Sequence, residues 1–439
     1  MRTILSGFVA LVALAWGLSL AAHGAGPGTL PWVAREQALY LSGLLSIGLM
    51  SLAMVLATRP AWLERPFGGM DRVYRAHKWA GILAGSFAAL HWLVEESGGV
   101  VKALAGTAGR PPKVEYFGLL ENLRDAGEEL GEFAVYLVLA MVLLALWKRF
   151  PYKFWRHLHR AMPALYLMLA FHAAVLAPLY WWTTPAGAVL GVLLAAGSVA
   201  AGLSLAGRVG RGRRVAGQVV AVNRPAPDVT EVVCRLDGDW RGHRAGQFAF
   251  VTFERFEGAH PFTIASADHG DRTVTFQIKA LGDYTRSLPQ RLAAGQPVSV
   301  EGPYGRFELG RHDRRARQVW VAGGIGVTPF LAWLGALRAD PASAPEADLH
   351  YCTRRAEGDP FVARLQALCA DLPGVRLHVH DSAAEGPPSA ETLGLSAGER
   401  RRAEVWFCGP QGLADHLRAG LARLGLRRLR FHQEAFEMR

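Results

Sequence analysis

Four histidines carry the first chemical signal. His77 and His91 stand fourteen residues apart and His159 and His172 thirteen apart, each pair in or beside an apolar stretch. A titratable side chain inside an apolar span is costly and marks function. At a rise of about 1.5 Å per residue, the members of each pair lie about 20 Å apart along a helix, most of a hydrocarbon core about 30 Å thick. Two such helices running in one direction bring His77 beside His159 and His91 beside His172, in two layers. Each layer offers two imidazoles facing one another, the axial set of a six-coordinate haem iron. A hydrogen bond to a neighbouring helix is the plainer use of a membrane histidine, but four at matched depths exceed it. Fourteen residues return to within about 40° of the starting face, whereas thirteen miss it by about 140°. His157 fits a straight helix better than His159. Pro163 lies between and can re-phase the helix, so both stay candidates.

The elements that must hold these residues are long apolar helices. The 439 residues suggest about three domains at about 150 residues each. Hydrophobic residues make up 51% and charged ones 19%, below the usual charged share of about 25%. That excludes a disordered chain and points to a membrane. No charge lies between Arg2 and Arg35, and apolar segments follow at 39–57, 79–94, 133–147, 161–177 and 179–207. With about 20 apolar residues needed per crossing, they read as a six-helix transmembrane α bundle over residues 1–207.

Lysine and arginine decide the orientation. Arg59, Arg65, Arg72, Arg75 and Lys78 follow the second span, and Lys148, Arg149, Lys153, Arg156 and Arg160 the fourth. Arg208, Arg211, Arg213 and Arg214 follow the sixth. The other side is poor in cations, and its long 95–132 segment is acidic. The N-terminus, the basic links and the C-terminal half are therefore expected in the cytoplasm, with the chain in a bacterial inner membrane. The first stretch, ending in small residues near Ala22 and Ala25, reads alternatively as a cleaved signal peptide. Contact with membrane lipid explains the net charge of +11, since no basic block is interleaved with aromatics as nucleic-acid binding requires. Cys234, Cys352, Cys369 and Cys408 form no C-x-x-C, which excludes a thiolate cluster or zinc site.

Beyond Arg214 the pattern changes to short alternating strands at 247–253, 273–279 and 297–300, expected to form an antiparallel β-barrel over 212–312. From about Arg317, strands at 318–322 and 349–353 alternate with a helix at 328–338, an α/β nucleotide-binding domain over 313–439. His260, Pro261, Phe262, Thr263 and Ser266 place an aromatic and hydroxyls after a strand. Gly282 and Thr285 open a helix, and a capped helix N-terminus suits a pyrophosphate. Gly302 and Gly305 close the barrel. Gly323, Gly324, Gly326, Thr328 and Pro329 run from an apolar strand into a helix. Those glycines permit a tight turn and close approach to a diphosphate; Thr328 can cap, and Pro329 suits the first turn. Arg354 and Arg355 follow a strand. They read as a site for a 2′-phosphate, favouring NADPH with NADH as the alternative, or as a solvated pair.

On His77 and His91, His159 and His172, and the run Leu158, His159, Arg160, the chain resembles the bacterial members of the ferric reductase and NADPH oxidase family of transmembrane haem proteins. The resemblance implies two b-type haems at these four histidines and favours His159 over His157. The order of the later motifs resembles the ferredoxin–NADP reductase superfamily, in the branch fused to transmembrane haem domains. It implies that the stretch from His260 to Thr263, in a motif ending at Ser266, holds the flavin ring of FAD, and that Gly282 and Thr285 hold its diphosphate. Soluble relatives begin that first motif with Arg and have Tyr-Ser, so His-Pro-Phe-Thr is the pattern of the membrane branch. Cys408, Gly409 and Pro410 would lie beside the nicotinamide and Phe436 over the flavin. Thr263, Cys408 and Phe436 are thus the candidate catalytic residues. The implied activity passes electrons from NAD(P)H through FAD and two haems to an extracytoplasmic acceptor. Oxygen, giving superoxide, leads; a ferric complex or other metal ion, and a periplasmic partner protein, are the alternatives.

Overall fold

The computed structural model describes residues 2–112, 114–147, 149–396, 402–425 and 429–434. The chain divides into two compact units, one built from Met1–Phe67 and Arg72–Val209, the other from Gly68–Asp71 and Gly210–Met438.

The first unit is helical: α1 (Arg2–His23), α2 (Leu30–Ala57), a short α3 (Glu64–Phe67), α4 (Met70–Glu96), α5 (Gly98–Ala105), α6 (Leu119–Leu146), α7 (Tyr152–His159), α8 (Met162–Leu176) and α9 (Pro185–Leu205). Proline in the first turn of α2, α8 and α9 sets each start, where its missing N–H is not needed. Four helices, within α1, α2, α6 and α9, are long and apolar enough to cross a membrane. The expected third and fifth spans correspond to α4, whose first turns hold Asp71, Arg72, Arg75 and Lys78, and to α8, only 15 residues long. The acidic segment is not all loop, because α6 starts at Leu119 and carries Glu121, Asp125, Glu128, Glu129 and Glu132 in its first turns. Leu49, Met50, Tyr166 and Leu190 form part of the bundle core, while Leu11, Leu14, Leu143, Val192 and Val199 lie exposed. Such an apolar exterior suits lipid rather than water. Polar contacts between helices include Ser46 Oγ donating to Ala84 O at 3.0 Å, and Ser51 Oγ meeting the Tyr166 hydroxyl at 2.9 Å.

The second unit has two sheets. The first contains β1 (Arg214–Ala226), β2 (Val229–Leu236), β3 (Phe248–Thr252), β4 (His260–Thr263), β5 (Thr273–Lys279) and β6 (Pro297–Tyr304), with α10 (Asp283–Arg291) before β6. It is antiparallel, in the order β4-β3-β6-β1-β2-β5. The expected closed barrel is not what forms among the described residues. β4 has four residues, and the two edges meet through a single bridge, Ile264 with Phe276.

The second sheet is wholly parallel, in the order β11-β10-β7-β8-β9. Its strands are β7 (Arg317–Gly323), β8 (Ala347–Thr353), β9 (Val375–Asp381), β10 (Ala403–Cys408) and β11 (Leu429–Glu434). The helices α11 (Thr328–Ala339), α12 (Pro360–Ala370) and α13 (Gln411–Arg423) make the crossovers from β7 to β8, β8 to β9 and β10 to β11. All seven residues of β8 are buried, as a central parallel strand requires. From β7 the chain winds one way through β8 and β9, then returns to the other side through β10 and β11. The gap beyond the carboxyl ends of β7 and β10 is therefore the switch point where such sheets bind ligands.

On one face of β8 and β9 three imidazoles stack. The His350 ring lies 4.6 Å from that of His378 and 5.2 Å from that of His380, and His350 Nδ1 is 2.9 Å from His380 Nε2. Burial, then the neighbouring His378 and His380, push His350 down to about 3, and burial lowers His380 as well. Both rings are neutral in the fold, while an unfolded histidine titrates near 6.5. The stability they contribute is therefore full above about pH 6.5 and lost as pH falls toward the folded value. The thermal midpoint of this unit should fall on going from pH 7 to pH 5, by about 1–2 kcal/mol of stability, and His350→Gln should blunt the fall. A midpoint equally acid-sensitive in that variant would contradict the assignment.

Candidate functional site

The four histidines meet as two pairs. The rings of His77 and His159 have centroids 6.0 Å apart at 88°, and those of His91 and His172 are 6.3 Å apart at 87°. His77 and His91 share a face of the uninterrupted α4. The phase mismatch between His159 and His172 is absorbed by a break: α7 ends at His159, and α8 begins at Met162 with Pro163 in its first turn. His157 is exposed, and His159 is the residue that faces His77. Lys148, one of the cations used to orient the chain, lies outside the described residues.

Hydrogen bonds fix how three of these rings present themselves. Nδ1 of His77 lies 2.9 Å from Ala53 O, Nδ1 of His91 3.0 Å from Leu39 O, and Nδ1 of His172 2.8 Å from Gly127 O. A carbonyl only accepts, so each Nδ1 carries the proton and each Nε2 keeps its lone pair for a metal. The two acceptors on α2, Leu39 and Ala53, are themselves fourteen residues apart, matching His91 and His77 on α4. His159 is held differently, stacked on Trp155 one turn earlier at 4.7 Å and 19°. Glycines make room for the rings: a Cβ on Gly131 would lie 2.1 Å from His172 Nδ1, and one on Gly43 3.0 Å from the His91 ring.

The donor set of each layer suits a macrocyclic metal rather than a bare ion. Two metal–nitrogen bonds of about 2 Å plus two ring half-widths span about 6 Å. Among the described residues no group of three or more His, Cys, Asp or Glu could hold a metal ion. Two imidazoles leave a first-row metal short of ligands unless a porphyrin supplies four more nitrogens. That is a fit to haem.

In the second unit, the residues expected to hold a flavin gather around β4 and α10. The His260 ring stacks on Tyr284 at 4.4 Å and lies 6.3 Å from Phe262; its Nε2 is 3.4 Å from Glu257. Thr263 is buried, and Ser266 Oγ accepts from Thr275 N at 3.1 Å. Gly282 is the N-cap of α10, where Thr285 Oγ1 accepts from the amides of Leu281 and Gly282 at 3.0 Å. The helix start is thus pinned with its first turn available to an anion. A Cβ on Gly302 would lie 3.2 Å from the Ala249 side chain, and Gly305 sits at φ 102°, beside Phe248.

At the switch point the two glycine turns touch backbone to backbone. A Cβ on Gly323 would lie 2.7 Å from Pro410 Cδ, one on Gly326 2.1 Å from Cys408 O, and one on Gly409 2.9 Å from Gly323 Cα. Gly324 turns the chain at φ 54° with open space beside it. Thr328 does not cap as expected: Val327 occupies the N-cap, and the Thr328 hydroxyl donates to Ile325 O at 3.1 Å. Pro329 is in the first turn of α11, as the motif implied. Arg354 and Arg355 are exposed beyond the carboxyl end of β8, in a loop tied to the end of β9 by Ala356 N donating to Asp381 at 2.9 Å. Cys408 is fully buried, with Sγ 3.9 Å from Glu434 Oε2. Burial, then Glu434, push its thiol well above the ordinary range, so it is a neutral neighbour and no nucleophile. Phe436 lies outside the described residues.

Sequence reasoning missed Glu434, whose carboxyl burial raises to about 8. It also missed Trp155 and the two ring-cradling glycines. Trp155 was readable as the i−4 neighbour of His159; the others depend on contacts between distant elements.

Residues 42–170 match the family model described as the ferric reductase like transmembrane component, and 217–308 match that of an FAD-binding domain. The chain joins a ferric-reductase-like transmembrane component to a reductase-type FAD module. The reductase subunit of stachydrine N-demethylase from Rhizobium meliloti (strain 1021) is 28% identical over 212 residues, 44% of this chain and 58% of that protein. The beta subunit of a heme-dependent oxidative N-demethylase from Ectopseudomonas mendocina (strain ymp) is 32% identical over 152 residues, 35% and 45% of the two chains. The chain spans about half the length of the curated relatives it matches. A flavohemoglobin from Malassezia yamatoensis, solved with FAD and heme, has a TM-score of 0.50 at 16% identity, covering 93% of this chain and 100% of that one. The two matches describe a chain that joins a transmembrane component to an FAD-binding domain.

The glycine contact yields a test. Gly326→Ala must push the Cys408 turn away, so the Michaelis constant for the nicotinamide nucleotide should rise about tenfold or more, with FAD content unchanged. An unaltered constant would remove this turn from the nucleotide site.

Proposed function

We propose that the chain is a transmembrane oxidoreductase passing electrons from cytoplasmic NAD(P)H through FAD and two b-type haems to an extracytoplasmic acceptor, oxygen giving superoxide. The observation that carries this reading is the pair of facing imidazole layers, with Nδ1 tied to helix carbonyls, in one chain with a flavin module. Bound FAD would accept a hydride and release single electrons, and bound haem would carry them one at a time.

The chain's own residues divide the work. His77 and His159 would hold the cytoplasmic-side haem, and His91 and His172 the far one. Because each layer would hold its haem through two histidines, the acceptor would be reduced without binding the metal. Residues His260 to Thr263, with Ser266, seat the flavin ring; Gly282 and Thr285 present the start of α10 to its diphosphate, near Gly302 and Gly305. Gly323, Gly324 and Gly326, with Thr328 and Pro329, receive the NADPH diphosphate, and Arg354 and Arg355 its 2′-phosphate; NADH is the alternative donor. Cys408, Gly409 and Pro410 would flank the nicotinamide, Phe436 is the candidate to lie over the flavin, and Glu434 keeps a proton at neutral pH.

The topology follows from charge. Six crossings, by α1, α2, α4, α6, α8 and α9, place the basic links and both nucleotide domains, 212–312 and 313–439, in the cytoplasm of a bacterial inner membrane, after a 1–207 haem domain. A second acceptor, a ferric complex or other metal cation, is favoured by the exposed Glu121, Asp125, Glu128 and Glu129 near the His172 layer. A periplasmic protein could dock there too.

The decisive measurement is an anaerobic visible spectrum of the purified chain before and after NADPH. Haem bands that sharpen on reduction are expected; an absence of haem, or ferric haem persisting under excess NADPH, would overturn the proposal. His91→Ala or His172→Ala should keep NADPH-driven flavin reduction and abolish reduction of external acceptors. Superoxide trapping with and without ferric chelates separates the two acceptors. Gly131→Ala should halve the haem content by displacing the His172 ring, about one of the two equivalents, and full haem loading in that variant would reject the cradle.

A further inference from the structure

At the amino-terminal edge of the parallel sheet there is a second concavity. It has a volume of about 390 Å³ and is walled by the segment entering β7, the turn before β8 and the start of β9. Strands of seven residues, at about 3.3 Å each, set it about 20 Å from the carboxyl ends that carry Gly323 and Cys408. It is therefore no part of the nucleotide site.

Its charge is one-sided. Arg314, Arg315, Arg317, Arg376 and His312 line it, against Glu346 and Asp348. Asp348 is buried and already committed: Oδ2 accepts from Arg317 Nη2 at 3.1 Å, and Oδ1 from Arg376 Nε at 2.8 Å and from His378 Nε2 at 3.3 Å. Burial opposes its ionisation, but the hydrogen bonds from Arg376, Arg317 and His378 hold its carboxyl well below the usual range. The carboxylate thus works as an anchor that orients two guanidinium groups. Arg317 is fixed a second time by donating Nη1 to Gly394 O at 2.7 Å. Arg376 is gripped through Nε with its side chain 64% exposed, which leaves the terminal nitrogens of the fork for an incoming acceptor. Arg314 and Arg315 add two exposed cations on the same wall.

An arginine fork oriented by a buried carboxylate, with further arginines around a cavity of ligand size, is the chemistry of phosphate recognition. We propose that this cavity binds a phosphate-bearing anion at a site separate from that of the nicotinamide nucleotide. The anion can come from a soluble phosphate ester or from a lipid head group, and both offer the same oxygens to the same fork.

The test uses the full chain in detergent, saturated with NADP+ and NAD+ to block the nucleotide site, and titrated calorimetrically with inorganic pyrophosphate at constant ionic strength. One further equivalent should bind. Its affinity should drop about tenfold or more in the Arg314→Gln/Arg315→Gln variant. Arg376→Gln, which removes the fork and leaves the exposed pair, should weaken it as well. Displacement by nanodiscs of phosphatidylglycerol, and not of phosphatidylcholine, supports the lipid source; displacement by glycerol 3-phosphate supports the soluble one. Pyrophosphate binding that the nucleotides abolish, or that survives in the Arg314→Gln/Arg315→Gln variant, overturns the proposal.

Discussion

The bond from an imidazole Nδ1–H to a helix carbonyl is the constraint around which the membrane unit is built. A ring buried between helices must satisfy one nitrogen before it can offer the other to a metal. A carbonyl inside a helix has two lone pairs, one of which already serves the helix, so it can accept a second donor only from a neighbour packed closely against it. His77 and His91 both reach across from α4 to α2, at Ala53 and Leu39. Because acceptors and donors share a fourteen-residue spacing, the antiparallel pair α2 and α4 must stay in contact over both layers. His172 imposes the same demand on α8 and α6 through Gly127. Three bonds thereby specify which helices are neighbours.

Close approach has a second requirement, and both units meet it the same way. Where backbone or ring must lie against backbone, a Cβ is excluded. Gly131 and Gly43 admit the His172 and His91 rings, and Gly326 and Gly409 admit one glycine turn to the other. In the membrane this closeness also replaces the hydrophobic drive between helices, which lipid does not supply. In the α/β sheet it brings the carboxyl ends of β7 and β10 together at the point where the strand order reverses.

Much of this was legible in the residues. The His spacing on α4, the Gly-rich turn before α11 and the strand over Thr273–Lys279 follow from period and composition, which act locally. The pairing of His159 was not settled by spacing, because the answer lies in a break at Arg160 and Ala161 that depends on how the chain turns back into the bundle. The acidic turns of α6 were hidden because charge masks the helical register of an apolar span. The barrel was over-read: alternation predicts strands and their faces, but closure depends on edge length, and β4 is too short. Gly131 and Glu434 carry no local mark at all, since each acquires its role from an element distant in sequence.

Two buried carboxyls show how the parallel sheet assigns charge to its ends. Asp348 and Glu434 are 4% and 8% exposed, and burial opposes ionisation of both. Asp348, at the amino end of β8, receives donors from Arg317, Arg376 and His378 and stays ionised. Glu434, at the carboxyl end of β11, has the Cys408 thiol as its neighbour, and burial lifts it to about 8. Burial and partners decide protonation together: donors outweigh burial at Asp348, and burial prevails at Glu434. The consequence for the chemistry is direct. The carboxyl end of the sheet presents a protonated carboxyl and a neutral thiol, so this pair adds no fixed negative charge there. The opposite end keeps its carboxylate charged because arginines surround it, and there the surplus of cations is left to face whatever anion enters.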